Sequence, residues 1–270
     1  MTNEILIDPD ALNSRLGEPD VKLLDVRSGE DFAMGHLPGA RHFSVYGINT
    51  YDSDDAPLAS FARMWAFQLE LRGLTADDFV VVYDDQTGMS AARAFWFLEY
   101  LGHQKVAVLN GGLTAWRNAD LPIERDAKAA TPSPYQYTTQ RNVVATWYDV
   151  RDAISNTDSV IIDTRREAEY VGAECNTVRC GTIPGAIHLE WTNHLTPDGK
   201  MKPNQALGTL FESHGITRGK KVIAFCNTGY RSAHAYLALR LLNYPHVRNY
   251  VGSWQEWGNR DGCPVINPVG

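Results

Sequence analysis

Residues 222–265 read VIAFCNTGYRSAHAYLALRLLNYPHVRNYVGSWQEWGNRDGCPV, and residues 81–123 read VVYDDQTGMSAARAFWFLEYLGHQKVAVLNGGLTAWRNADLPI. The two stretches are versions of one pattern. The same spacing of 141 residues separates Leu101 from Leu242, Val106 from Val247, Gly111 from Gly252 and Trp116 from Trp257. Pro122 and Pro264 correspond after one extra residue. Working outward, LLDVRSGEDF at 23–32 matches IIDTRREAEY at 161–170, and LPGARHF at 37–43 matches IPGAIHL at 183–189. The second copy carries eight more residues between these two blocks, around Cys175 and Cys180. A long repeat in two copies argues for a duplicated domain and against a solenoid. Between the copies lies DAKAATPSPYQYTTQ, whose prolines and small polar residues read as a linker. The expected organisation is a first domain over 1–125, a linker over 126–140 and a second domain over 141–270.

Within each copy, short apolar runs alternate with helical patterns. Val21–Asp25, Phe79–Tyr83 and Val106–Leu109 predict buried strands in the first, and Ser159–Asp163, Lys221–Phe225 and Val247–Tyr250 in the second. Residues 91–101 and 232–242 place apolar side chains at helical spacing. Strand–helix alternation implies α/β domains, each a parallel sheet with helices on both faces.

Bulk composition fits this reading. The 270 residues are 44% hydrophobic and 21% charged, enough apolar surface for packed cores. A net charge of −7 argues against nonspecific binding to nucleic acid or an anionic membrane, though a local basic pocket can still take a small anion. The start MTNEILIDPD lacks a basic n-region and an apolar core of signal length, and FVVVY at 79–83 is far too short to span a bilayer. The four cysteines, Cys175, Cys180, Cys226 and Cys263, all lie in the second half and do not resemble a disulfide framework. A cytoplasmic location is expected.

Duplication separates framework from chemistry. A residue present in both copies serves the fold; a residue present in one is a candidate for function. Asp25 and Arg27 recur as Asp163 and Arg165, which reads as a structural ion pair or strand-end cap. Trp116 and Trp257 recur, as packing residues would. The PGA turns at 38–40 and 184–186 recur as backbone punctuation. Cys226 does not recur: Asp85 stands in its place, and Ser90 stands in the place of Arg231.

A strand ending at Phe225 delivers Cys226 to its carboxyl end, where α/β sheets form ligand sites. The loop CNTGYR then leads into a helix starting around Ser232. Its N–H groups, turned toward the sulfur at a helix N-terminus, favour a thiolate. Gly229 permits the tight curvature, and Arg231 adds a permanent positive charge suited to an oxyanion. A thiolate so placed attacks a sulfane sulfur without a catalytic base when the departing group is a stable anion.

These features resemble the tandem-domain rhodaneses, which include thiosulfate and 3-mercaptopyruvate sulfurtransferases. The resemblance covers nearly the whole chain. It rests on the paired D-x-R strand ends, the two PGA turns, the NGG-x-x-x-W and VGS-x-x-x-W endings and the loop CNTGYR. It implies two tandem rhodanese-like domains, the first inactive with Asp85 in place of the cysteine and the second catalytic. It also implies a persulfide on Cys226, cradled by backbone amides of 227–231. On this basis Cys226 and Arg231 are the expected catalytic residues, and Asn227, Thr228, Gly229, Tyr230 and Arg231 the expected substrate-binding set. No metal or cofactor is expected. The partners would be a small anionic sulfur donor and a thiophilic acceptor such as cyanide, acting on a monomer.

The resemblance also orders the donors. Mercaptopyruvate enzymes carry C-G-S-G where this chain has Asn227 and Thr228, which disfavours that substrate. Animal thiosulfate enzymes carry a basic residue at the place of Thr228 and an arginine at the place of Glu169; both are absent here. Arg231 supplies the charge instead, as in the C-x-x-x-x-R-S loops of bacterial rhodaneses. The expected activity is thiosulfate sulfurtransferase, with 3-mercaptopyruvate sulfurtransferase or a non-catalytic persulfide carrier or redox sensor as alternatives. A Cdc25-like phosphatase has one more residue between cysteine and arginine, to surround a phosphate. Cys175 and Cys180 read as a zinc site, a regulatory disulfide or sulfur relay, or a surface loop that carries two thiols; the last is preferred. Cys263 reads as structural. His188 and His194 receive no role, and Asp52, Asp54 and Asp55 read as a solvated acidic loop.

Overall fold

The computed structural model describes residues 5–127 and 129–268. The first four residues, Lys128 of the expected linker and the last two residues lie outside the described residues. The chain divides into two compact units that are not uninterrupted stretches of sequence. The first holds residues up to 48, 60–140 and 195–201; the second holds 49–59, 141–194 and 202 onward.

In the first unit, β1 (Leu6–Ile7), β2 (Val21–Asp25), β3 (Arg41–His42), β4 (Phe79–Tyr83) and β5 (Val106–Leu109) form a sheet in the order β1-β5-β4-β2-β3. In the second, β6 (Val144–Ala145), β7 (Ser159–Asp163), β8 (Ile187–His188), β9 (Lys221–Phe225) and β10 (Val247–Tyr250) repeat that order as β6-β10-β9-β7-β8. Every pairing between these strands is parallel. The central strands are apolar nearly throughout because helices cover both faces. Leu23, Val81, Tyr83, Ala107 and Trp116 belong to one core cluster, and Ile161, Ile223, Phe225, Tyr250 and Trp257 to its counterpart.

The recurring residues do the same structural work twice. Arg27 binds both carboxylate oxygens of Asp25 and donates to Gly35 O at 2.8 Å. Arg165 does the same to Asp163 and donates to Gly181 O at 2.7 Å. Burying such charges is tolerated because each is paired and hydrogen-bonded. Trp116 Nε1 donates to Pro122 O at 2.8 Å, and Trp257 Nε1 to Pro264 O at 2.9 Å, so each buried indole finds an acceptor just beyond its helix.

Three readings are corrected. The helices that carry these patterns are Met89–Tyr100 and Tyr230–Leu241, so each begins two residues before its apolar pattern does. Asp52 and Asp54 are not simply solvated. Asp52 Oδ1 accepts from Arg260 at 3.1 Å, and Asp54 Oδ1 accepts from Trp147 Nε1 at 2.8 Å. Asp55 opens the helix Asp55–Leu71. Cys175 and Cys180 are not two free thiols: they form a disulfide, because the turn between them folds back to bring their Cα atoms to 5.5 Å. Among the described residues no helix is long and apolar enough to cross a membrane.

Candidate active site

Parallel pairing in register sets the site. Asp163 at the end of β7 lies beside Phe225 at the end of β9, and Thr164 N donates to Phe225 O at 3.0 Å. Cys226 therefore emerges next to the turn that carries Arg165. Its own backbone is pinned from below: Cys226 N donates to Ser253 Oγ at 3.2 Å, and Cys226 O accepts from Trp254 N at 3.0 Å. Asn227 O accepts from Gln255 N at 3.0 Å.

The chain then turns back over the sulfur. Gly229 adopts φ +86°, a conformation that costs a residue with a Cβ about 1 kcal/mol or more. The turn brings Gly229 N to 3.1 Å from Cys226 Sγ. Asn249 Nδ2 donates to Gly229 O at 3.1 Å and holds the turn closed. Ser232 Oγ stands 3.6 Å from Sγ and 2.6 Å from Asn249 Oδ1. Burial pushes the Cys226 thiol up, but the Arg231 charge, the Ser232 and Thr228 N–H groups and the Ser232 hydroxyl outweigh it. The net result is a thiol below its ordinary pKa, as an anion nest at a helix start produces.

The expected residues divide as follows. Thr228, Gly229 and Arg231 act on the sulfur through N–H groups or charge. Asn227 lines the cavity in front of the loop. Tyr230 opens the helix and is buried. Arg231 does not project alone: its Nη1 and Nη2 donate to Glu169 Oε2 and Oε1 at 2.5 and 2.8 Å. Burial raises Glu169, but the Arg231 hydrogen bonds and charge overcome that and draw it down to about 2. Arg231 is raised in turn, the Glu169 contact outweighing its burial.

The cavity has a volume of about 310 Å³ and is lined by Arg165, Arg166, Glu169, Cys175, Asn227 and Trp254 among others. The Arg165 guanidinium lies 4.3 Å from the Trp254 ring centroid. Ser232, Asn249 and Trp254 were not singled out from the sequence. Ser232 was within reach, since it directly follows the C-x-x-x-x-R loop; Asn249 and Trp254 were not, because only the fold brings their strand and helix to the loop.

The corresponding place in the first unit is acidic. A cavity of about 450 Å³ is lined there by Arg27, Ser28, Asp31, Asp84, Asp85 and Ser90 among others. Asp85, in the position of the cysteine, lies 3.4 Å from Arg27 Nη1.

The rhodanese-like domain family matches the chain twice, at residues 8–119 and 146–260. A thiosulfate sulfurtransferase from Pseudomonas aeruginosa is 35% identical over 97% of this chain and 96% of its own length. The sulfur carrier protein TtuD from Thermus thermophilus is 32% identical over 97% of this chain and 96% of its own. The crystal structure of SseA from Escherichia coli, described as a 3-mercaptopyruvate sulfotransferase, superimposes with a TM-score of 0.81 at 27% identity, covering 93% of this chain and 99% of that one. With two matched domains and the geometry above, the chain belongs to the rhodanese family.

Proposed function

We propose that the chain is a sulfurtransferase whose Cys226 thiolate takes the sulfane sulfur of thiosulfate and passes it to a thiophilic acceptor such as cyanide. The observation that carries this reading is Cys226 Sγ facing Gly229 N at 3.1 Å in a loop whose duplicate offers only Asp85. The thiolate attacks the outer sulfur of thiosulfate, the S–S bond breaks, and sulfite departs with the electron pair. Cys226 then bears the persulfide, and the amides of Thr228, Gly229 and Ser232 hold its negative charge. An acceptor nucleophile takes the terminal sulfur and returns Cys226 as thiolate. Two easier displacements replace one.

Arg231 balances the charge of the loop, and Asn227 shapes the entrance. The first domain, 1–125, holds no nucleophile in this reading, and 126–140 joins it to the catalytic domain, 141–270. All the proposed site residues come from one unit of one chain, which suits a monomer. Work in a reducing cytoplasm suits the buried free thiols Cys226 and Cys263.

A second reading, a slow persulfide carrier, is favoured by Glu169, which pairs with the arginine whose charge acts on the sulfur, and by the relative named as a sulfur carrier. Intact mass after incubation with thiosulfate tests both. Gain of one sulfur on the wild type, absent from Cys226→Ala and discharged by cyanide with rapid turnover, supports the enzyme. Gain with negligible turnover supports the carrier. No gain from thiosulfate but gain from 3-mercaptopyruvate transfers the donor assignment to the latter.

A further inference from the structure

The eight-residue insertion of the second copy places a disulfide-bonded cysteine pair at the cavity in front of the Cys226 loop. Cys175 lines the same cavity as Asn227, the residue that follows Cys226. Cys180, its disulfide partner, is exposed, as Cys175 is. The insertion is held by contacts besides the disulfide. Arg179 donates to the backbone oxygens of Trp257, Gly258, Arg260 and Cys263, and Asn259 Oδ1 accepts from Val178 N at 2.9 Å. A bridge across so short a segment adds less restraint than one that closes a long loop. Exposure leaves it open to exchange with external thiols. The cavity wall beside Cys175 carries Arg165 and Arg166 together with Glu169 and Glu174, and Arg166 is bonded to both of these carboxylates. The other free thiol, Cys263, is buried, and burial pushes it up, so it is no rival as an acceptor.

We propose that the reduced Cys175–Cys180 pair is a built-in sulfur acceptor that converts the Cys226 persulfide into sulfide. The proposal rests on the Cys226 reading above. The terminal sulfur of the persulfide, about 2 Å beyond Sγ, is the atom that a nucleophile in the cavity meets. The Cys175 thiolate attacks it; the bond to Cys226 Sγ breaks, and Cys226 leaves as thiolate. Cys175 now bears the persulfide. The Cys180 thiolate attacks Cys175 Sγ, the Cys175–Cys180 disulfide forms, and hydrosulfide departs. Two electrons from the dithiol reduce one sulfane sulfur to sulfide, and the two thiol protons end on sulfide and solvent. Across both stages, thiosulfate and the dithiol yield sulfite, sulfide and the disulfide. A dithiol reductant reopens the bridge by thiol–disulfide exchange for another cycle.

The test is a single turnover under anaerobic conditions. The protein is reduced with dithiothreitol, freed of reductant by desalting, and mixed with thiosulfate alone. The expected result is release of about one sulfide per chain with appearance of the 175–180 disulfide in peptide mass spectra. Cys180→Ser should release none and hold the sulfur on Cys175, and Cys175→Ser should release none and hold it on Cys226. Wild type with its disulfide intact is loaded in parallel and discharged with cyanide; thiocyanate there tests the Cys226 reading by itself. If that control yields thiocyanate while the reduced protein keeps its persulfide, releases no sulfide and leaves both thiols free, the relay is overturned and the Cys226 reading stands. Sulfide release at the wild-type level from either serine variant overturns it too. If the control takes no sulfur from thiosulfate or 3-mercaptopyruvate, both fall together.

Discussion

Arg231 and Glu169 meet through both terminal guanidinium nitrogens and both carboxylate oxygens, at 2.5 and 2.8 Å. The arginine that best suits an anionic donor is thus already paired, by a residue that lines the cavity in front of the loop. Glu169→Gln keeps the shape and removes the competing charge. The expected outcome is a thiosulfate KM lower by about tenfold, worth about 1.4 kcal/mol, with a smaller effect on turnover. Steady-state assays across donor concentration check it, and an unchanged KM would show that Arg231 does not meet the donor.

The depressed Cys226 thiol predicts a pH profile. Persulfide formation follows the thiolate, so its rate rises with pH to a plateau, and the midpoint lies below that of an ordinary thiol. Arg231→Ala removes the leading favourable charge. Its midpoint should move up and its rate near neutral pH should fall by about a hundredfold, comparable to losing one stabilising donor. Stopped-flow or quenched loading between pH 5 and 10 would read both, on the order of one measurement per half unit.

Glu169 predicts acid lability with a definite sign. Its folded value, about 2, lies below the ordinary 4.5, so pairing with Arg231 stabilises the fold above the ordinary value. That contribution fades as pH falls from about 4.5 toward 2. The melting temperature of wild type should exceed that of Glu169→Gln at neutral pH, and the gap should close across that acidic window.

Asp163→Ala should destabilise the fold strongly. The carboxylate accepts from Arg165 at 2.6 and 3.0 Å and from Thr182 Oγ1 at 2.8 Å, and both charges are buried. Removing it strands the guanidinium, at a cost of about 3–5 kcal/mol. Urea unfolding measures this, and a loss under about 1 kcal/mol would mean that water reaches Arg165 readily.

The sequence revealed most of what repetition could carry. The six central strands match their apolar runs residue for residue, and the D-x-R pairs and the tryptophans play the structural parts that their recurrence implied. What escaped lies in contacts between distant segments that occur once. Glu169 was visible only as a missing arginine; nothing in its spacing says that β7 and the helix after β9 bring it onto Arg231, 62 residues away. Asn249, on β10, locks the loop from a strand whose period reports burial and not partners. The short edge strands β1, β3, β6 and β8, two residues each, are too brief to leave a periodic signal.

The strand order shared by both sheets also governs how the chain acquires its shape. In each unit the first strand made is hydrogen-bonded to the last: β1 to β5 and β6 to β10. An emerging polypeptide therefore holds β6 without a neighbour until about a hundred further residues have been made, a long closure that slows folding. During synthesis the apolar β7 and β9 can associate early, while Cys226 waits for β10 to bring Asn249 beneath its loop. The nucleophile is thus among the last features to mature, and a nascent chain carries a bare thiol before it carries a competent one.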